Sequence, residues 1–379
     1  MPRTRRDNST ARYVVNILLV VVVVAAAVGG GILIAHSRHK SSSTTPPTLG
    51  PSGKIAFSNL QAKLGLTTGV QMWNESASKQ DTEIAGIADA GARWLRTALL
   101  WRDVEPQSAD HDDWSNADHI VSDAQKNHVQ LIFNIGQAPK WSGASEEGEY
   151  GDDPQQYADF CAKVAARYAG RVRVYELGNE PNLTSEVTHP DPAAYATMLQ
   201  DTYPAMKKAD PNAFVLTAGL AGGRHHKGNL TGLDFLTGVY AHGGKGFFDG
   251  IAYHPYTYPL LPTQDVNGGG TSGGTRSWSQ MLKVRALMVQ HGDSAKPIWV
   301  TEFGAPTNGP GGVSQTEQSQ IMQNGFDLWK TYSWGGVISW FDYQDKGTDT
   351  STHKDWFGII NDAGDHKPSW STYSSIAHA

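Results

Sequence analysis

The stretch "YELGNEPN", residues 175–182, decides the reading of this chain. A short apolar run, "VRVYELGN" (172–179), reaches Gly178, presents Asn179 and Glu180 side by side, and is closed by Pro181. A run of this length and composition reads as a β-strand. A plain surface turn needs only Gly, Asn, Asp or Ser. An amide and a carboxylate set together at a strand end, ahead of a proline, have the makings of a site. Its chemistry depends on whether the chain supplies a partner for Glu180.

Seven further apolar runs flank this one: "GLTTGVQMW" (65–73), "ARWLRTALLW" (92–101), "VQLIFNIG" (129–136), "AFVLTAGL" (213–220), "GIAYHPY" (250–256), "PIWVTEFG" (297–304) and "GGVISWFD" (335–342). Helix-like segments lie between them, at 81–91, 114–128, 153–169, 192–209, 278–292 and 314–333. Alternating β and α elements imply a parallel sheet covered by helices. Eight such units close into a (β/α)8 TIM barrel of the α/β class, whose chemistry gathers at the C-terminal ends of the strands. The alternative is an open doubly wound sheet, and no glycine fingerprint follows the first strand to support it.

Polar residues concentrate at those strand ends. Strand 2 carries Arg96, strand 4 Asn179 and Glu180, strand 6 His254 and Tyr256, strand 7 Glu302, and strand 8 Trp340 and Asp342. Taken singly, each has a plainer reading: a solvated loop acid, a helix cap, a core histidine or a core tryptophan. Together they form one constellation at one end of one barrel. Two carboxylates facing each other across a barrel mouth suit the cleavage of a glycosidic bond, in which one donates a proton and the other attacks the sugar. Their environments must then push their pKa values apart. Arg96 and the Tyr256 hydroxyl suit holding Glu302 as the anion. Asn179 suits a sugar hydroxyl next to the anomeric carbon, and Trp340 offers a flat face for stacking.

These residues resemble the clan of retaining glycoside hydrolases (clan A) built on (β/α)8 barrels. "GNEPN" is similar to the clan's acid/base motif at Asn179 and Glu180, and "WVTEFGAP" to its nucleophile motif at Glu302. "YHPYTYP" matches its strand-6 His-x-Tyr at His254 and Tyr256, and "LRTALLWRDVEPQSADHDDW" resembles its strand-2 segment from Arg96. "WFGIINDAGDHKPSWSTY" resembles the segment after strand 8. The similarity covers nearly all of residues 60–375. It looks closest to glycoside hydrolase family 39, of β-xylosidases, α-L-iduronidases and bacterial exopolysaccharide hydrolases, with the cellulase-like family 5 next. The resemblance implies Glu180 as acid/base, Glu302 as nucleophile, and a polysaccharide or oligosaccharide substrate bound by Arg96, Asn179, His254, Tyr256, Trp340 and Trp141, with no cofactor and no metal. One departure is that many cellulase-like members carry a histidine at the end of strand 3. Here that stretch is "NIGQAPKW", with Gln137 and Trp141 in the region. A non-catalytic carbohydrate-binding protein would be favoured by loss of either carboxylate, and both are present. An envelope-remodelling transglycosylase would use the same residues.

Composition agrees with a catalytic globular domain. The 379 residues include 41 Gly and 12 Trp, with only 18% charged, which suits a loop-rich fold rather than a disordered chain. Residues 1–40 hold six Lys/Arg and one acid; the remaining 25 bases and 36 acids leave a net charge of −11 on the rest. An acidic body argues against nucleic acid as a partner. The single cysteine, Cys161, permits no intrachain disulfide and sits at helical spacing among apolar residues, as a core thiol does.

Residues 14–35, "VVNILLVVVVVAAAVGGGILIA", form a nearly continuous apolar run, long enough for the roughly 20 residues of a membrane span. Four arginines precede it, so the positive-inside bias places residues 1–13 in the cytoplasm and the body outside. The expectation is a transmembrane signal-anchor at 14–35, a Ser/Thr/Pro linker at 36–53 and a hydrolase domain at 54–379, single-pass at the cell membrane. A cleaved signal and a secreted enzyme is the alternative.

Weaker candidates complete the reading. Glu176 shares a strand face with Glu180 and lies deeper, which suits an internal ion pair. Glu105 suits a structural role. His225 and His226 lack a third ligand at metal spacing. The glycine-rich loop 260–278 reads as a flap over the cleft. Trp73, Trp101, Trp141 and Trp278 are either sugar platforms or core.

Overall fold

A computed structural model describes residues 55–144, 150–223, 225–267 and 277–379. Residues 14–35 and the whole of the 36–53 linker lie outside the described residues, as does 268–276 of the expected flap. Among the described residues no helix is long and apolar enough to cross a membrane.

Eight parallel strands close in sequence order, β1 (Leu64–Gly69), β2 (Trp94–Leu100), β3 (Gln130–Gly136), β4 (Val174–Asn179), β5 (Phe214–Ala221), β6 (Ile251–His254), β7 (Ile298–Phe303) and β8 (Gly335–Phe341), with β8 pairing back onto β1. The helices are α1 (Ala77–Asp89), α2 (Trp101–Val104), α3 (Ser115–Lys126), α4 (Pro154–Arg167), α5 (Pro192–Ala209), α6 (Gly232–Ala241), α7 (Pro262–Val266), α8 (Ser277–Gln290), α9 (Gln315–Lys330) and α10 (Pro368–Ala377). Several start where the sequence says they should. Asp153 and Asp191 cap α4 and α5, each followed by proline at the first helical position, and Ser314 and Glu317 form a capping box on α9. Helix α6 buries Phe235, Leu236, Val239 and Tyr240 at helical spacing. Gly238 is required by packing: a Cβ there would lie 2.5 Å from Pro192 Cβ.

The barrel interior is built by the period of two along each strand. At the N-terminal end Trp94, Ile132, Val174, Ala252, Trp299 and Val337 form an apolar plug. Trp94 and Trp299 pack edge to face at 5.3 Å, and Phe57 closes the bottom against both. Two residues further along each strand stands a polar layer: Arg96, Asn134, Glu176, His254, Thr301 and Ser339. One more step of two brings Ala98, Gly136, Tyr256 and Phe341 to the wall of a cavity of about 710 Å³ at the C-terminal mouth. The residues of opposite parity face the helices and make the main core. Cys161 is fully buried there, and burial pushes its thiol well above its ordinary value.

Candidate active site

The end of β4 is shaped by backbone rather than by side-chain preference. Gly178 has φ +91°, and a Cβ there would lie 2.0 Å from the Tyr150 hydroxyl. Glu180 itself has φ +42°, a left-handed conformation that non-glycine residues seldom adopt. The turn is held by three contacts: the Glu180 amide donates to Gly219 O at 3.0 Å, the Asn134 amide to Gly178 O at 2.6 Å, and the Leu183 amide to Glu180 O at 2.9 Å. Strain of this kind persists where surrounding structure enforces it, and it clusters at functional sites. Here it carries Glu180 over the mouth.

Glu302 arrives by a different irregularity. Val300 and Phe303 face the helices, Thr301 joins the polar layer, and Glu302 lines the cavity with it. The β7–β8 register shifts between Val300 and Phe303, which allows two successive side chains to face inward. The Glu180 and Glu302 side chains keep 17% and 13% exposure, against 3% for Arg96 and 0% for Glu176. The first pair therefore meets the cavity and the second supports it from below.

Arg96 is the centre of the support. Its Nε and Nη2 donate to the two oxygens of Glu176 at 2.7 and 2.9 Å, its Nη1 to Glu302 Oε1 at 2.7 Å, and its Nη2 also to Asn179 Oδ1 at 2.9 Å. The Tyr256 hydroxyl donates to the other Glu302 oxygen at 2.7 Å. Burial by itself would raise the Glu302 carboxyl. The charges of His254 and Arg96 and the Tyr256 hydrogen bond outweigh it and hold the group below its ordinary value of 4.5. Burial and the adjacent Glu302 push the Tyr256 hydroxyl far above 10, so it remains a donor.

His254 links the two carboxylates. Its Nδ1 lies 2.8 Å from Glu180 Oε1 and 3.6 Å from Glu302 Oε2, and its Nε2 lies 3.1 Å from Thr301 Oγ1. The Thr301 hydroxyl donates to Glu176 at 3.3 Å, which leaves its oxygen to accept from Nε2. Burial works against an imidazolium, but Glu302 and Glu180 outweigh it and raise the group above 6.5. One oxygen or nitrogen each from Glu180, His254 and Glu302 all fall within 4.8 Å of one another. Such a cluster has cation-ligand chemistry, yet Arg96 and Tyr256 already occupy both Glu302 oxygens.

Arg96, Asn179, Glu180, His254, Tyr256 and Glu302 all line the one cavity. Trp340 and Trp141 do not. On β8 Val337, Ser339 and Phe341 point inward, so alternation turns Trp340 outward. It is fully buried against Phe303 at 5.3 Å, with its indole N–H on Phe357 O. Phe341 is the aromatic wall that the sequence reading assigned to Trp340. Trp141 is tied to Glu105 O at 2.7 Å and packs edge to face on Trp101; Gln137 reaches the cavity from that loop instead. Trp73, Trp101 and Trp278 are core residues as well. Glu105 is buried and accepts from Trp101 Nε1 and Lys163 Nζ. His225 pairs with Asp234 in an exposed loop. Sequence reasoning missed Phe357 and Tyr258, which complete an aromatic wall with Tyr256 and Phe341, and it missed the cavity residues Glu186, Lys346 and Lys354. None of these sits in a strand, where a period would have marked it.

The fold and site define a clan A glycoside hydrolase barrel. Residues 57–347 match the family model for cellulase, glycosyl hydrolase family 5, so the chain belongs to that family and is a glycoside hydrolase. No curated relative matches it by sequence. Among solved structures it is similar to a family 39 glycoside hydrolase from Bacteroides cellulosilyticus, at 22% identity and TM-score 0.66 over 84% of this chain and 63% of that one. A family 39 β-xylosidase from Caulobacter crescentus gives 18% and 0.62 over 86% and 73%. Xylanase 10B from Thermotoga maritima gives 15% and 0.59 over 84% and 97%.

Three outcomes follow from this geometry. Trp340→Ala opens a void in the outer core and is expected to cost about 3–5 kcal/mol in chemical denaturation. Phe341→Ala should instead lower turnover while the denaturation midpoint stays near wild type. Tyr256→Phe removes a donor from the Glu302 anion, so its carboxyl must rise toward its ordinary value. Under the double-displacement reading proposed below, the ionised form is the one that attacks, so the acid limb of the kcat/KM profile should move to higher pH, with the largest loss of rate at low pH.

Proposed function

We propose that the protein hydrolyses O-glycosidic bonds of a polysaccharide or oligosaccharide by double displacement, with net retention at the anomeric carbon. The observation that carries this reading is the spacing of Glu180 and Glu302, whose nearest oxygens lie within 4.8 Å. Retaining enzymes hold their carboxyl groups about 5–5.5 Å apart, and inverting ones roughly 6.5–9.5 Å to admit a water.

In the first step a Glu302 oxygen attacks the anomeric carbon as the bond to the leaving oxygen breaks, and Glu180 gives that oxygen its proton. Arg96 and Tyr256 hold Glu302 ionised and aimed. In the second step Glu180, now a carboxylate, takes a proton from water. The water oxygen attacks the same carbon from the opposite side, and Glu302 leaves as the anion. His254 Nδ1 stays within hydrogen-bond reach of Glu180 Oε1, at 2.8 Å. Asn179 donates to the hydroxyl next to the anomeric carbon, and Phe341 offers the apolar face.

Glu302→Gln should abolish turnover of 2,4-dinitrophenyl α- and β-glycosides of xylose, glucose and mannose. Glu180→Ala should still be glycosylated by those substrates, because their leaving group needs little proton donation. Added azide should then release a glycosyl azide of the substrate's own anomeric configuration. An inverted first product from the wild type, followed by proton NMR, would sink the assignment.

We further infer that residues 14–35 anchor the enzyme in the cell membrane with the barrel outside, where polysaccharide is met. The support is the length of the apolar run and the arginines before it. Full-length protein should resist a carbonate wash of membranes, and protease added to intact cells should reach the barrel. A soluble mature form beginning after residue 35 would show a cleaved signal instead.

A further inference from the structure

A third carboxylate faces the cavity. Glu186 stands six residues beyond Glu180, on the loop between β4 and α5, and its place is built rather than incidental. The side chain of Asn182, fully buried, donates to Ala221 O and Leu230 O and accepts from the Ala221 amide. Thr184 binds Asn229 through both its amide and its hydroxyl at 2.8 Å. One helical turn then follows, with the amides of Glu186 and Val187 donating to Leu183 O at 3.2 and 3.1 Å. These ties fix the loop to the β5–α6 connection and turn Glu186 inward.

There it meets Asn179. The Arg96 guanidinium can only donate, so its contact with Asn179 Oδ1 fixes which way the amide points. The Asn179 nitrogen therefore faces the cavity and donates to Glu186 Oε2 at 3.2 Å. An amide nitrogen carries two hydrogens, and Glu186 takes one. The second is directed to whatever occupies the cavity.

We propose that Glu186 is a specificity-determining residue: with Asn179 it forms a donor–acceptor pair that reads the sugar hydroxyl next to the anomeric carbon. This rests on the glycosidase reading above. Asn179 Nδ2 donates to the hydroxyl oxygen, and the Glu186 carboxylate accepts the hydroxyl proton. A hydroxyl both donates and accepts, so it satisfies the pair completely. A deoxy position leaves both partners unmatched, and an ether oxygen can accept but not donate. The substrate class is therefore a glycan whose cleaved unit carries a free hydroxyl at that carbon, with no ether branch there. Lys354, from the loop after β8, also lines the cavity and supplies positive charge toward Glu186, while Glu180 and Glu302 supply negative charge.

The test compares the most active 2,4-dinitrophenyl glycoside of the panel above with its 2-deoxy counterpart. Wild type, Glu186→Ala and Glu186→Gln are assayed on both. Glu186→Ala should lose about ten- to a hundredfold more kcat/KM on the hydroxylated substrate than on the deoxy one, as expected for a hydrogen bond to a charged group. Glu186→Gln keeps an accepting oxygen and should fall between wild type and Glu186→Ala; it carries the same comparison should the alanine variant fail to fold. Equal losses on both substrates, or no loss on either, would overturn this assignment alone. A wild type inactive on every glycoside of the panel would overturn the glycosidase reading and this one with it.

Discussion

The Arg96 guanidinium is the constraint on which the site depends. It is buried inside the barrel and spends its donors on Glu176, Glu302 and Asn179 at once. A buried cation of this kind is tolerated only when paired and hydrogen-bonded, and removing one partner of such a pair costs roughly 3–5 kcal/mol. Burial would weaken its charge, but Glu176 and Glu302 raise its pKa further still. Its planar fork also sets directions. Glu176 takes two parallel bonds and locks the plane, so the remaining donors can point only at Glu302 and Asn179. Glu302 and the Asn179 amide, the nucleophile and the hydroxyl-reading group of the proposed mechanism, are held by the same rigid group.

The barrel separates stability from chemistry along its axis. The Trp94–Trp299 plug at the N-terminal end excludes water and asks nothing of function. The polar layer above it, with Thr301, His254 and Glu176 bonded to one another, carries charge into the interior while leaving few partners unmade. The cavity begins one residue-pair higher. The regular strand period brings Tyr256 and Phe341 there. Glu180 and Glu302 need departures from it, a left-handed backbone at one and a register shift at the other. Regular structure thus provides the frame, and local irregularity places the two carboxylates of the proposed reaction.

The division of labour between the two carboxyls comes from their donors. Glu302 has a guanidinium on one oxygen and a phenol on the other, an arrangement that favours the anion. Glu180 meets only His254 among the described residues and turns its remaining oxygen to the cavity. The loop that follows Glu180 then returns Glu186 to the same space. One connection, anchored by the buried Asn182, supplies both Glu180, the proposed proton-transfer group, and a carboxylate against Asn179.

Much of this was legible in the sequence. Eight apolar runs separated by helical segments point to a closed parallel barrel, and the helix-like stretches 153–169, 192–209 and 314–333 correspond to α4, α5 and α9. Glu180 and Glu302 stand out because they gather with Arg96, Asn179, His254 and Tyr256 at the strand ends of one barrel, and Glu176 is marked for an ion pair by its depth on the strand that carries Glu180. What the sequence alone left open was which face of a strand is the inner one. Parallel strands are buried on both faces, so "GGVISWFD" carries no polar alternation to separate Trp340 from Phe341. Only barrel closure assigns Val337, Ser339 and Phe341 to the barrel interior and Trp340 to the helices. Trp141 was misplaced and Glu186 overlooked for a related reason: both lie in loops without a repeat, where position is set by tertiary hydrogen bonds to Glu105, Asn229 and Ala221. Residue type and period determine which groups share an element; the closure of the barrel and the anchoring of its loops decide which of them meet.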